Sequence, residues 1–284
     1  MTPPLEARIE TVLGVRVRAI VPLHGGCIAE VRRIDLEDGS RIVAKCAHDT
    51  DLTVEAWMLG ELARTGALPV PRVFHAEPGL LLLEYVPHDA GAPGPAAQRH
   101  AAERLAALHA VPRPFFGCSR DTLIGPLCQP NPRSERWIPF FRDHRLLYMA
   151  AVARRGGALP GQVFARIERL ALRLEELLAE PRHPSLLHGD VWSGNLLVRG
   201  DRIAAFLDPA LYCGHPEIEI AFTTLFGPFT KPFYDAYAAL AGLDRDFWKL
   251  RRDVYNLYPL LVHLHLFGRG YLPPILRTLE RCGL

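Results

Sequence analysis

The spacing of apolar and polar positions divides the chain near residue 95. Before it, short runs rich in β-branched residues over 15–22, 29–36 and 41–47 predict a small antiparallel sheet. Asp38-Gly39 is the turn of a hairpin, and His24-Gly25-Gly26 lies between the first two strands. A short amphipathic helix is predicted over 5–13 and a second helix over 52–64. Two further runs follow at 70–74 and 80–86, separated by a turn at Glu77-Pro78-Gly79. The second reads LLLLEYV, the continuous apolar pattern of a strand buried on both faces. Residues 87–95 hold too much Gly and Pro for regular structure and read as a linker.

Beyond the linker the period lengthens to that of helices. They are predicted over 96–110, over 137–154 with Ser134 as N-cap, and over 162–179, where Val163, Ile167, Leu170, Leu174 and Leu177 form one stripe. Short apolar runs at 186–187, 196–198 and 203–207 read as strands. Helices resume over 217–226, 234–243, 247–267 and 274–281. The pattern predicts an α+β, bilobal chain: an antiparallel-sheet N-lobe over 1–86, a hinge and linker over 87–95, and a mainly helical C-lobe over 96–284. A length of 284 residues suffices for two lobes that share a cleft.

Composition narrows the partners. The 33 basic and 31 acidic side chains nearly cancel, which gives no reason to expect nucleic acid or a membrane surface and favours a small-molecule ligand. No run approaches the roughly 18 apolar residues that span a bilayer, and the first residues show no long apolar core, so a cytoplasmic location is expected. Six cysteines, Cys27, Cys46, Cys118, Cys128, Cys213 and Cys282, form no CxxC pair, which argues against a zinc site or a disulfide framework.

The candidate chemistry lies in LLHGDVWSGNLLVRGDRIAAFLDPA, residues 186–210. His188, Asp190 and Asn195 fall on a loop between two apolar runs, and Asp208 follows the next strand. Phosphotransfer by kinases uses this order: an Asp that accepts the proton of the attacking hydroxyl, an Asn five residues on that holds magnesium, and a second magnesium-binding Asp one hairpin later. Asp190 is thus the candidate base, and Asn195 and Asp208 are the candidate metal ligands. Taken singly, each could be a turn residue; the ordered set says more.

Upstream, Lys45 on the third strand suits a phosphate clamp, with Glu55 on the next helix as its ion-pair partner. Gly25-Gly26 can lay backbone N–H groups over phosphates. Glu84, Tyr85 and Val86 form the hinge segment that an adenine would meet. His215, alone before Pro216, reads as a loop residue.

These segments, with others, resemble the fructosamine kinase (ketosamine-3-kinase) family of the protein-kinase-like fold. The resemblance rests on GGCI at 25–28, DTLIGPLCQPNP at 121–132, RWIPFFRDHRL at 136–146 and HGDVWSGN at 188–195. It continues through DPA at 208–210, YCGHPEIEIAFTTLFG at 212–227 and NLYPLLVHLHLFG at 256–268, and so spans nearly all of the chain. Aminoglycoside and choline kinases share only the sparser skeleton of HGD, Asn and Asp.

The resemblance implies ATP- and Mg2+-dependent phosphorylation of the 3-hydroxyl of a ketosamine, a fructosyl- or ribulosyl-amine adduct, free or protein-bound. The phosphate makes the adduct unstable, so the step serves deglycation. Residue by residue, it implies Asp190 as base, Asn195 and Asp208 on magnesium, Lys45 on the phosphates beside Glu55, and Gly25, Gly26 and Cys27 as the nucleotide loop. Trp192 is the candidate sugar contact, since its indole offers an apolar face and one N–H donor; packing beneath the loop is the other reading. Cys27 invites a redox-linked dimer through an intersubunit disulfide, with a monomer as the other expected state. Gly189 and DPA stand where protein kinases carry Arg and DFG, so no activating phosphorylation is expected. Glu219, often Asp in the family, would brace the catalytic loop, and His265 stands where many bacterial relatives have Asn. A kinase of another amino sugar or amino alcohol, and a nucleotide-binding pseudokinase, remain as alternatives.

Overall fold

A computed structural model describes residues 3–23, 29–227 and 229–284. Five strands, β1 (Val17–Leu23), β2 (Glu30–Leu36), β3 (Arg41–Cys46), β4 (Val73–Glu77) and β5 (Leu80–Glu84), make one antiparallel sheet in the order β1-β2-β3-β5-β4. Helix α1 (Leu5–Leu13) covers one face and α2 (Leu52–Thr65) the other. The leucines of β5 show how this works, because successive strand side chains point to opposite faces. Leu80 and Leu82 join Ile9 of α1, whereas Leu81 and Leu83 join Leu52 and Leu59 of α2. Strand β4 begins three residues later than expected because Pro71 has no N–H to give a ladder.

The helical part begins with α3 (Pro95–His109). A hairpin of β6 (Thr122–Ile124) and β7 (Leu127–Gln129) follows, then α4 (Trp137–Phe141), a π-turn (Arg142–Leu147), α5 (Tyr148–Arg155), α6 (Gly161–Ala171) and α7 (Leu174–Leu177). Four short strands come next: β8 (Ser185–Leu187), β9 (Leu196–Arg199), β10 (Arg202–Phe206) and β11 (Tyr212–Gly214). Helices α8 (Pro216–Phe222), α9 (Lys231–Ala241), α10 (Arg252–Phe267) and α11 (Leu272–Arg281) complete the chain, with a π-turn (Phe247–Arg251) before α10. Among the described residues no helix is long and apolar enough to cross a membrane.

Three expectations change. The helix over 137–154 is interrupted by a π-turn, which turns Arg145 inward. Its guanidinium is fully buried, donates to the Pro130 and His144 carbonyls and to Asn131 Oδ1, and lies 3.9 Å from the Tyr212 ring centroid. The start of α4 is capped not by Ser134 but by the Glu180 carboxylate, which accepts from the N–H groups of Trp137 and Ile138 at 2.6 and 3.1 Å. The helix over 162–179 stops at Ala171, resumes at Leu174 and ends at Leu177, so that Leu172 faces solvent and Glu180 reaches α4. Val54, Met58 and Leu62 of α2 pack into the core of the helical part, so α2 holds both lobes.

Candidate active site

Two connections build the site: residues 188–195 between β8 and β9, and residues 207–211 between β10 and β11. Strand β8 pairs with β11 and β9 with β10, and two backbone bonds stitch the connections together. Leu207 N donates to Asn195 O at 2.9 Å, and Ala210 N donates to His188 O at 2.8 Å. Gly189, at φ 88°, lies in this stitch; a Cβ there would come within 2.1 Å of the Ala210 carbonyl oxygen, so only glycine fits.

Asn195 donates through Nδ2 to the backbone oxygen and to Oδ2 of Asp190, both at 2.9 Å. This bond orients the Asp190 carboxylate and leaves the side-chain oxygen of Asn195, Oδ1, for a ligand. Asp208 is the only non-glycine residue at positive φ among the described residues, at 52°. Such a conformation costs about 1–2 kcal/mol and is held by the surrounding bonds. Its Oδ1 accepts from Lys45 Nζ at 2.5 Å, and the same ammonium donates to Glu55 Oε1 at 2.7 Å. Three of the sequence candidates, Lys45, Glu55 and Asp208, therefore meet, and they tie β3, α2 and the 207–211 connection together.

The charges are tuned by burial. Burial opposes the Lys45 charge, but Glu55 and Asp208 outweigh it and hold the ammonium well above the ordinary lysine range. Burial raises Glu55 despite the lysine beside it. Asp190 is pushed up to about 7, chiefly by burial and further by the charges of Asp208 and Glu219, against the opposing bond from Asn195. A carboxylate in that range can take a proton near neutral pH.

Glu219 does brace the loop. Its carboxylate accepts from Gly189 N at 2.5 Å, from His188 N at 3.3 Å and from His109 Nε2 at 2.7 Å, and His109 Nδ1 meets the Tyr237 hydroxyl at 2.7 Å. Burial alone would raise Glu219, but the bond and charge of His109, with His188, hold it below the ordinary value. His215 is the N-cap of α8, accepting from Glu217 N at 3.0 Å; burial pushes it down to about 3, and it stays neutral.

Two cavities share Lys45, Glu55 and Asp208. One, about 180 Å³, contains Asp190, Trp192 and Asn195; the other, about 230 Å³, is lined by Glu84, Tyr85, Val86, Val43 and Leu83. The Glu84 carboxylate itself accepts from Arg72 N at 3.2 Å. Trp192 lines the first cavity, and its ring lies over Gly194, where a Cβ would come within 2.3 Å of it. Gly25, Gly26 and Cys27 lie outside the described residues. The other five cysteines are free thiols.

Sequence reasoning missed two walls of the first cavity. Leu123, Ile124 and Gly125 come from the β6–β7 hairpin, which Thr122 Oγ1 and Gln129 Nε2 anchor to the carbonyls of Leu211 and Ala210 at 2.8 and 3.1 Å. Val262, His263, Leu266 and Phe267 come from the last turns of α10. Both walls fall in conspicuous segments, LIGPLCQPNP and LVHLHLFG, whose helical or turn spacing gave no hint of direction. His265 is not a wall and packs over Gly156.

Known proteins resemble the chain over most of its length. A probable ketoamine kinase of Synechocystis is 36% identical over 278 residues, covering 94% of this chain and 91% of its own length. YniA, a probable ketoamine kinase of Escherichia coli K12, is 33% identical over 238 residues, 81% of this chain and 79% of its own. The crystal structure of a protein from Thermobifida fusca, provisionally named a fructosamine-3-kinase, superposes with a TM-score of 0.89 at 30% identity over 99% of both chains. The aminoglycoside phosphotransferase APH(4)-Ia in complex with ADP and hygromycin B, at 18% identity and a TM-score of 0.66 over 99% of this chain and 97% of its own, shares the fold. With the fructosamine kinase family model also matching residues 3–283, this chain belongs to the fructosamine kinase family and is a phosphotransferase of that type.

Proposed function

We propose that the protein transfers the γ-phosphoryl group of ATP, with Mg2+, to the 3-hydroxyl of a ketosamine and so supports deglycation in the cytoplasm. One observation carries the reading: Lys45, bonded to both Glu55 and Asp208, stands in the same cavity as the Asp190–Asn195 pair. A phosphate clamp, a proton acceptor and two oxygen donors for a hard cation thus line one space.

The donor set fits magnesium. The Asn195 side-chain oxygen and the Asp208 carboxylate are hard oxygen donors, and among the described residues no three His, Cys, Asp or Glu side chains cluster into a complete metal cage. Such a two-residue site suits an ion that keeps waters and phosphate oxygens in its shell. When bound, the ion neutralises charge developing on the transferred phosphoryl group. Lys45 holds phosphate oxygens once the nucleotide competes for its contacts. Asp190 accepts the proton of the attacking hydroxyl, oriented by Asn195. The second cavity receives the adenine against the backbone of Glu84 to Val86, Gly25 to Cys27 cover the phosphates, and Trp192 meets the sugar. In this reading residues 1–86 form the nucleotide lobe, 87–95 the linker and 96–284 the lobe that carries base and substrate.

The test is ATP consumption with Mg2+ against ribulosyl-lysine and fructosyl-lysine. Turnover on either, absent in Asp190→Asn, supports the proposal; nucleotide binding without turnover on both contradicts it.

A further inference from the structure

The cavity that holds Asp190 and Trp192 extends away from the catalytic candidates. It continues to the C-terminal turns of α10, where Val262, His263, Leu266 and Phe267 line it and further rings pack against His263. His263 and Phe226 stack at 4.3 Å between centroids and 29° between planes, and Phe267 and Tyr271 lie 5.4 and 5.1 Å from His263. Trp192 meets Phe226 edge-on at 6.5 Å, which joins the cluster to the catalytic loop. His263 donates through Nδ1 to the Pro259 carbonyl at 2.8 Å, which fixes the ring, and burial holds it neutral. Phe267 is 52% exposed, an unusual position for a large apolar ring unless something covers it.

The opposite side of the same cavity is acidic. Asp51, Glu55, Asp190 and Asp208 line it, and its single lysine, Lys45, is already shared by two of them. A substrate entering here meets carboxylates near the base and aromatic faces farther out. That polarity suits a protonated secondary amine followed by an extended uncharged arm: the ammonium is attracted to the acids and ring faces, and the methylenes cover the rings. It disfavours an amine whose neighbouring carbon carries a carboxylate.

We propose that Phe267 and His263, backed by Phe226, form a subsite for the amine arm of the ketosamine, selecting long apolar or aromatic arms over short or anionic ones. The inference rests on the ketosamine reading and goes beyond it by naming which part of the substrate the α10 wall recognises. These rings are specificity-determining and take no part in proton or phosphoryl transfer.

The experiment compares ribulosyl adducts of methylamine, hexylamine, benzylamine and glycine, measuring kcat and KM separately. In the unaltered protein kcat/KM for the hexylamine and benzylamine adducts should exceed that for methylamine by about tenfold, mostly through KM, the scale expected for covering a few methylenes. The glycine adduct should be the poorest. Phe267→Ala should bring the ratio of hexylamine to methylamine close to one, and Phe267→Trp should retain it, which separates lost recognition from a general loss of folding. Equal kcat/KM across the arms, a glycine adduct better than methylamine, or a ratio unchanged in Phe267→Ala would overturn the subsite while leaving the kinase reading intact. Absence of turnover on every adduct would overturn both.

Discussion

A carboxyl buried beside other carboxylates, as Asp190 is, keeps its proton to about pH 7 in the protein without nucleotide. Between the ordinary aspartate value and that point the folded chain binds a proton that the unfolded chain does not, so stability contributed here falls as pH rises through the interval. Asp190→Asn should therefore melt above the unaltered protein by a margin that is smaller at pH 5 than at pH 8, while kcat falls by about 10²–10⁴. Thermal denaturation at the two pH values checks the sign. Gly189 makes the opposite case: Gly189→Ala should cost roughly 2–4 kcal/mol and lose activity, because the added methyl meets backbone at a positive φ. Urea unfolding of the variant measures it. At this scale the sequence was most legible, since Lys45, Glu55, Asp190, Asn195 and Asp208 were expected together and do meet. Spacing within each motif was enough for Asp190, Asn195 and Asp208, whose connections are short, and for Lys45 with Glu55; that the two sets meet across 163 residues followed from their order as a set.

Elements were less legible where their form depends on contacts far along the chain. The stripes of α6 and α10 were visible in their spacing. The π-turn at Arg145 was not, since it answers to Asn131 and Tyr212, and neither was the cap that Glu180 supplies to α4. The three-residue strands of the β6–β7 hairpin are too short for an alternation to register. Glu219 was recognisable as a brace, but its partner His109 lies 110 residues away on α3. The brace works as a unit of α8, α3 and the catalytic loop. Glu219→Gln offers one acceptor oxygen where three donors converge and turns an amide N–H2 toward the rest. The expected cost is roughly 1–3 kcal/mol of stability, with kcat falling more than KM for ATP changes. Steady-state kinetics beside thermal denaturation would show the split; a variant with normal kcat would mean that the brace does not position the base.

The whole molecule is a sheet lobe and a helical lobe joined by α2 and by the Lys45–Asp208 bond. The α+β, bilobal architecture followed from the change of period near residue 95. The cleft walls did not, because they come from segments distant in sequence and only the fold brings them to one space. Since Asp208 is held by Lys45 in this state, magnesium and nucleotide should act together in replacing that bond. A Mg2+–nucleotide complex at about 100 times its dissociation constant should stabilise the protein by about 2.7 kcal/mol, and the nucleotide with a chelator by less. In Asp208→Asn the difference between the two should vanish, as differential scanning fluorimetry would register.

The central claim, that this cleft phosphorylates the sugar of a ketosamine, is tested most directly by the product. Ribulosyl-lysine incubated with the protein, ATP and Mg2+, then read by phosphorus–proton correlation NMR, should show a phosphate on C3 of the sugar, and none with Asp190→Asn in its place. A phosphate at another position, or an unmodified sugar from protein that binds ATP, would contradict it.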